Sequence, residues 1–272
     1  MTPIPLYFSP CPNDTFCFHA MISGLVDTEG LPFDPHLEDV EQLNHRVLHN
    51  NPSVCKISYH ILPLIANRYR MLPCGSALGF GNGPLLVSLS ASEPITPQTR
   101  IAIPGIHTTA HFLLQQAYPQ AINTHPVLFS KISDAILSGD FDAGVLIHEG
   151  RFIYAQQGLH LVADLGACWE ERTGLPIPLG GIAVSRTLTE AMQQKIARIL
   201  LRSIKYAKEF PQVSASYIRS NAQEIDSEVI RKHIELFVND YTLDLGRVGR
   251  AAVAAMINVG APSFGTILDL FV

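Results

Sequence analysis

The chain has 272 residues, 47% of them hydrophobic and 16% charged, enough to bury a large core as one big domain or two lobes. A formal charge of −5 without any basic run argues against nucleic acid, whose binding takes clustered Lys and Arg to displace counterions. No stretch approaches the roughly 18 uninterrupted apolar residues of a membrane span, and the opening residues, broken at Ser9-Pro10-Cys11-Pro12, do not read as a signal peptide, so a cytoplasmic location is expected.

In chain order, Ile4-Pro5-Leu6-Tyr7-Phe8 reads as a short strand. A turn then leads into a helix that Asn13 or Asp14 can cap, with Phe18, Met21, Ile22 and Leu25 at helical spacing. Asp39-Val40-Glu41-Gln42 resembles a capping box and starts a helix with Val40, Leu43, Val47 and Leu48 on one face. Val54-Cys55-Lys56-Ile57 is a strand with Ser58 at its carboxyl end. The Arg68-Tyr69-Arg70 patch reads as a solvated face. After a glycine-rich stretch over 75–83 another strand covers 84–89.

Arg100-Ile101-Ala102-Ile103 is a strand running into Pro104-Gly105-Ile106-His107-Thr108-Thr109, where a helix over 110–116 begins. A short helix over 130–137 can end at Gly139. Asp142-Ala143-Gly144-Val145-Leu146-Ile147 is a buried strand, and His148 stands at its end. Thr187-Leu188-Thr189-Glu190 reads as a second capping box, opening a long helix with Met192, Ile196, Ile199, Leu200 and Ala207 on its buried stripe. Two more helices follow, near 227–238 and 247–258. Such alternation implies an α/β fold with mainly parallel sheets covered on both faces.

Ligands of such sheets bind outside the carboxyl ends of strands. Ser58, the Thr108-Thr109 pair and His148 fall at that kind of place from distant parts of the chain. The threonines serve either as an ordinary N-cap or as part of a helix-start site for a carboxylate or phosphate, and Ser58 has the same two readings. Gly79-Phe80-Gly81-Asn82-Gly83 is a backbone turn rather than a nucleotide loop, because a strand follows it and no Lys-Ser or Lys-Thr pair closes it. Among 11 histidines, His19, His45, His49, His60 and His233 lie on predicted helices and read as surface or satisfied residues. His148 differs, because an imidazole on a rigid apolar strand facing a cleft suits a general base. The alternative is a core-edge histidine bonded to backbone. Cys11, Cys17, Cys55, Cys74 and Cys168 lack paired spacing and read as free thiols. Neither they nor the histidines have metal-ligand spacing, so no metal is expected.

Ser9-Pro10-Cys11-Pro12-Asn13-Asp14-Thr15-Phe16 resembles the start of the 1,4-dihydroxy-6-naphthoate synthase family, which performs a late step of the futalosine route to menaquinone. The resemblance continues through Leu37-Glu38-Asp39-Val40-Glu41, Lys56-Ile57-Ser58-Tyr59, Leu78-Gly79-Phe80-Gly81-Asn82-Gly83-Pro84-Leu85 and Pro104-Gly105-Ile106-His107-Thr108-Thr109-Ala110. It includes Ile147-His148-Glu149-Gly150-Arg151-Phe152 and Asp164-Leu165-Gly166-Ala167-Cys168-Trp169-Glu170-Glu171-Arg172-Thr173-Gly174-Leu175-Pro176. Gly150 stands where some relatives carry a serine and Cys168 where an aromatic is common; neither change removes a polar group from the chemistry.

The resemblance implies a fold like the type II periplasmic binding proteins, two α/β lobes with an interlobe cleft. One lobe would comprise residues 1–89 and 184–272, the other residues 90–183. It implies conversion of cyclic dehypoxanthine futalosine to 1,4-dihydroxy-6-naphthoate by a lyase that needs no metal or organic cofactor. Carried over by position, His148 is the proton acceptor, and Lys56, Ile57, Ser58, Thr108 and Thr109 line the substrate site. Two alternatives share the scaffold: a cytosolic binding or sensor protein for a small carboxylate, and the sibling enzyme that dehydrates chorismate. The base at His148 separates the first, and the His148-Glu149 motif with the opening Pro-Cys-Pro turn separates the second.

Overall fold

The computed structural model describes residues 2–90, 92, 94–223, 226–261 and 270–272. Its strands are β1 (Ile4–Phe8), β2 (Phe33–Leu37), β3 (Val54–Ser58), β4 (Tyr69–Met71), β5 (Ala77–Gly79) and β6 (Leu85–Ser88), then β7 (Ile101–Ile103), β8 (Thr124–Pro126), β9 (Ala143–Leu146), β10 (His160–Asp164) and β11 (Ile177–Ser185). The helices are α1 (Pro12–Ile22), α2 (Val40–His49), α3 (Leu62–Ile65), α4 (Thr109–Ala117), α5 (Ile132–Leu137) and α6 (Gly150–Ile153), then α7 (Leu165–Thr173), α8 (Glu190–Glu209), α9 (Ala215–Asn221), α10 (Ser227–Phe237), α11 (Asp240–Leu243) and α12 (Gly246–Gly260).

The strands form two sheets, ordered β2-β1-β3-β11-β4 with β5 also on β11, and β10-β6-β9-β7-β8. Each is mixed rather than mainly parallel. In the first, β1 runs parallel to β2 and β3 while β11 is antiparallel to β3, β4 and β5. In the second, β7 is parallel to β8 and β9 while β6 lies antiparallel to β9 and β10. The chain crosses from the first sheet into the second between β5 and β6 and returns between β10 and β11. The strands that carry it across are β6 and β11, and they join their sheets in the reversed direction. Sheet membership therefore changes at other points than residues 89/90 and 183/184, because β6 already belongs to the second sheet and β11 to the first.

The first crossing explains the glycines at 79–83. Gly81 has φ +67°, and a Cβ on Gly83 would stand 2.4 Å from the Cα of Gly166. Two backbones touch there, which only glycine permits. Arg151 donates to the carbonyls of Gly81 (2.8 Å) and Gly83, fixing the crossing from the second-sheet side.

Helix starts follow their capping residues, with two corrections. The Asp39/Gln42 capping box is present at α2. At α8 the cap is Thr189, which accepts from the Met192 N–H, while the Thr187 hydroxyl is turned to Ser185. Neither Asn13 nor Asp14 caps α1; Cys11 holds that position without a side-chain bond, and both polar residues lie buried in the first turn. Arg68-Tyr69-Arg70 is no solvated face, since Tyr69 is wholly buried in β4 and its hydroxyl donates to the Pro52 carbonyl at 3.0 Å.

One apolar cluster runs through both halves, from Leu43 and Ile57 to Leu86, Ile101 and Trp169. A second packs α1 and α8 on the first sheet, where the Ser203 hydroxyl donates to the Cys17 carbonyl at 2.6 Å.

Candidate active site

A cleft between the sheets is lined by Ser9, Asp14, Lys56, Ser58, Thr109 and His148, with apolar walls from Val40, Leu43, Ile147, Leu179 and Phe237. All the expected site residues, Lys56, Ile57, Ser58, Thr108, Thr109 and His148, line this one cavity.

Lys56 and Ile57 come from β3, whose five residues are all buried. The ammonium of Lys56 donates to Asp14 Oδ1 at 2.7 Å and lies 3.4 Å from the Gly75 carbonyl. Asp14 is the residue that sequence reasoning missed. Its carboxylate also accepts from the Ser9 hydroxyl (2.8 Å), the Ser9 N–H (3.3 Å) and the Asn13 amide (2.9 Å). A buried charge is tolerable only when paired and hydrogen-bonded, and the turn at 9–14 supplies both conditions. Lys56 is therefore a neutralised partner rather than a free cation.

Ser58 ends β3. Its N–H donates to Asn44 Oδ1 at 2.9 Å, and its oxygen accepts from Asn44 Nδ2 at 3.1 Å. That arrangement leaves the hydroxyl proton for a ligand. Gly180 of β11 pairs with Ser58, and a Cβ there would meet the Ile57 carbonyl at 2.7 Å, so the cleft floor needs this glycine.

The threonine pair divides in two. Thr108 is the N-cap of α4: its hydroxyl accepts from the His111 N–H and donates to the Gly105 carbonyl. The Thr109 hydroxyl donates to the Leu179 carbonyl at 2.8 Å and accepts from the His60 N–H at 3.4 Å, a link from α4 to the first sheet's side. Both hydroxyls are committed within the protein. What the helix start offers a ligand is its opening N–H groups, which have no intrahelical carbonyl.

His148 follows β9 and takes φ +53°, a left-handed backbone that side chains other than glycine adopt rarely. Its ring meets Phe129 edge-on at 5.1 Å and stacks on His233 at 5.8 Å and 12°. Burial pushes its pKa down to about 4; the carboxylate of Asp14 works against that shift and the charge of Lys56 adds to it. The imidazole is thus neutral over a wider range than its ordinary value near 6.5 implies.

His233 is neither the surface residue nor the fully satisfied one that its helix position suggests. Its Nε2 lies 2.9 Å from Asn13 Oδ1 while its buried Nδ1 has no hydrogen-bond partner among the described residues, and the ring is 0% exposed and lies against His148. Only the fold brings these residues, 85 apart, together. The fold also gathers ligand-type groups that sequence spacing could not reveal. Cys11, His148 and Glu149 form one cluster and Glu41, His45 and His107 another, each with its donor atoms within 4.8 Å. In the second, Glu41 already takes the Nδ1 of His107 at 2.8 Å; in the first, burial raises the Cys11 thiol pKa well above its usual range.

The family described as "Menaquinone biosynthesis" matches residues 5–262. A 1,4-dihydroxy-6-naphtoate synthase of Thermus thermophilus is 43% identical over 259 residues, covering 94% of this chain and 93% of its own. One of Streptomyces coelicolor is 38% identical over 264 residues, covering 95% and 93%. Protein AF1704 of Archaeoglobus fulgidus, a solved structure, is 35% identical with a TM-score of 0.87 over 94% of this chain and 97% of its own. The Candida albicans CA3427 product, described as having the generic periplasmic binding protein fold, gives a TM-score of 0.69 at 12% identity over 99% and 94%, a likeness of fold alone. The chain has that fold, and it belongs to the menaquinone biosynthesis family.

Proposed function

We propose that this protein is a 1,4-dihydroxy-6-naphthoate synthase: a lyase that takes cyclic dehypoxanthine futalosine, releases its sugar-derived fragment and leaves the naphthoate. The observation that carries this reading is the imidazole of His148, kept neutral by burial and held in the turn after β9, at a cleft that also presents hydroxyl and main-chain N–H donors and apolar surface. A base so placed takes a carbon-bound proton beside a carbonyl and starts the elimination. The Ser58 hydroxyl and the opening N–H groups of Thr109 and its neighbour Ala110 receive the substrate's carboxylate and adjoining oxygens. Ile57, Leu43 and Phe237 lie against its ring. Lys56, held by Asp14, gives the floor a fixed dipole, and Thr108 holds the helix start in shape.

The two halves move as lobes about the crossings at residues 80–84 and 165–176, and closing them on the substrate excludes water from the reaction. No metal or organic cofactor takes part, and the work is done in the cytoplasm. Incubating the purified protein with the cyclic substrate while following naphthoate absorbance tests the reaction. No product over hours at micromolar enzyme rejects it. Dialysis against EDTA tests the metal-free claim: turnover is expected to persist, and loss with recovery on adding zinc or magnesium overturns it.

A further inference from the structure

A base in a left-handed backbone conformation needs neighbours that hold it there, because strain of this kind persists only when the surroundings over-determine it. His148 has two ring neighbours. Phe129, from the same half of the molecule, meets its edge. The other is His233 of α10, a helix that packs on α1 and β5 of the first sheet's half.

The orientation of His233 is itself fixed. Asn13 Nδ2 donates to Asp14 Oδ1, so Asn13 Oδ1 faces His233 as an acceptor and the proton on that ring sits at Nε2. Nδ1 then carries the lone pair, on the side of Glu149 Oε2 at 3.7 Å. Phe237, one turn along α10, tilts against the same ring at 4.6 Å. The chain Lys56, Asp14, Asn13, His233 thus runs unbroken from the ion pair to the plane on which the base lies.

We propose that His233 and Asn13 are positioning residues for His148: the ring of His233, locked by Asn13, is the surface that holds the imidazole of the base in its left-handed seat facing the cleft. His233 never meets substrate. It keeps water from one face of His148 and keeps that ring from turning. The charged and titratable groups around the base are Asp14, Lys56, Glu149, Cys11 and His233 itself. Among these His233 is the one in ring contact, and burial together with His148 holds it neutral. The effect on rate rests on the reading of His148 as the base; the ring geometry does not.

The test is an NMR titration of the histidine side chains in the full chain, for the wild type, His233→Phe and His233→Ala, with turnover measured alongside. In the wild type His233 is expected as the Nε2–H tautomer, and His148 to titrate well below about 6.5. His233→Phe keeps a flat apolar face, and His148 is expected to stay low. His233→Ala admits water, and its His148 titration is expected to rise by about one pH unit or more, with kcat down about tenfold and KM changed less. An unmoved His148 titration in a folded His233→Ala overturns the proposal. Should that variant not fold, Asn13→Ala decides: loss of the single Nε2–H tautomer at His233 supports the lock, and an unchanged tautomer overturns it. If the wild type fails to consume the cyclic substrate while the titrations respond as stated, the proposed reaction falls and the positioning stands.

Discussion

The two walls of the cleft follow opposite electrical plans. On the first sheet's side stand both fixed charges of the lining, Lys56 and Asp14, with Ser9 and Asn13 bonded to the carboxylate, and Ser58 bonded to Asn44 beside them. On the second sheet's side the lining is Pro84, Thr108, Thr109, Ala110, Ile147 and His148, all uncharged while the imidazole is neutral. The charged wall cannot respond to a substrate, since its groups are already paired. The uncharged wall can, because a proton taken by His148 creates a charge where none stood. Asp14 favours that new charge and Lys56 opposes it. Fixed charge on one side thus sets the field in which transferable charge appears on the other.

Removing the transferable charge has the largest expected consequence. Asn approximates the size of His148 and keeps one hydrogen bond but takes no proton near neutral pH. A positioned base contributes about 10²–10⁴ in rate, or roughly 3–5 kcal/mol, so His148→Asn is expected to cut turnover at least about a hundredfold while binding changes far less. A variant keeping more than about a tenth of wild-type turnover moves the base elsewhere, and His107 and Glu149 are the next residues to test.

Breaking the fixed pair comes next. Asp14→Asn leaves Lys56 buried without a counter-charge, an alteration that costs about 3–5 kcal/mol. At this chain length that corresponds to a melting temperature lower by roughly 6–20 °C. Adding Lys56→Met to Asp14→Asn is expected to recover part of the loss, because the orphaned charge goes with it. A single variant as stable as the wild type in thermal denaturation contradicts the paired-wall description.

The two walls also differed in how far the sequence disclosed them. Val54–Ser58 and Ala143–Leu146 are short runs bounded by turn signals, so both strands were legible, though the second stops at Leu146 and leaves His148 in the turn beyond it. Thr108 declared itself by its place before a helix. By contrast, β2 carries Asp34, Pro35 and His36 on a sheet edge, and β11 carries Pro178, Gly180 and Gly181, compositions that read as loop. Asp14 looked like a helix cap because a carboxylate in a first turn commonly serves the helix; its partner Lys56 lies 42 residues on. The stacking of His233 on His148 depends on α10 reaching the far side of the cleft, which no local pattern encodes.

Acidity probes both walls at once. The acid limb of kcat/KM reports the free enzyme's base, so activity is expected to hold between pH 8 and 5 and to fall toward about 4, the value at which His148 takes its proton. A limb near the ordinary value of about 6.5 would mean a solvated base. Stability has its own sign. Burial lowers the pKa of His60 and of His148 to about 4 and moves His233 in the same direction. Below about 6.5 the unfolded chain takes up protons that these buried rings refuse. Their contribution is therefore whole above that pH and is lost progressively as pH falls to about 4. The slope is at most about 1.4 kcal/mol per pH unit for each ring, and less for His60 and His148, which keep some contact with solvent. Denaturation curves at pH 7, 6 and 5 check it; a flat series contradicts the buried neutral rings.

The smallest effects separate the hydroxyls. Ser58 accepts from Asn44 and keeps its proton for a ligand, whereas Thr109 spends its proton on the Leu179 carbonyl. Ser58→Ala is therefore expected to weaken substrate binding by about 1.5–3 kcal/mol if the bond is to a carboxylate, and by about 0.5–1.5 if to a neutral oxygen. Thr109→Val keeps the shape and the helix N–H groups but cuts the tie to β11. Its expected cost is a stability loss of about 0.5–1.5 kcal/mol, with substrate affinity changed no more than about threefold. Calorimetric titration of both variants against one substrate analogue reads the contrast directly. Equal losses of affinity would show that the Thr109 hydroxyl turns from Leu179 to the ligand on binding, making the uncharged wall a donor of side-chain as well as main-chain hydrogen bonds. An undiminished affinity in Ser58→Ala would take the serine out of the site and leave ligand recognition to the start of α4.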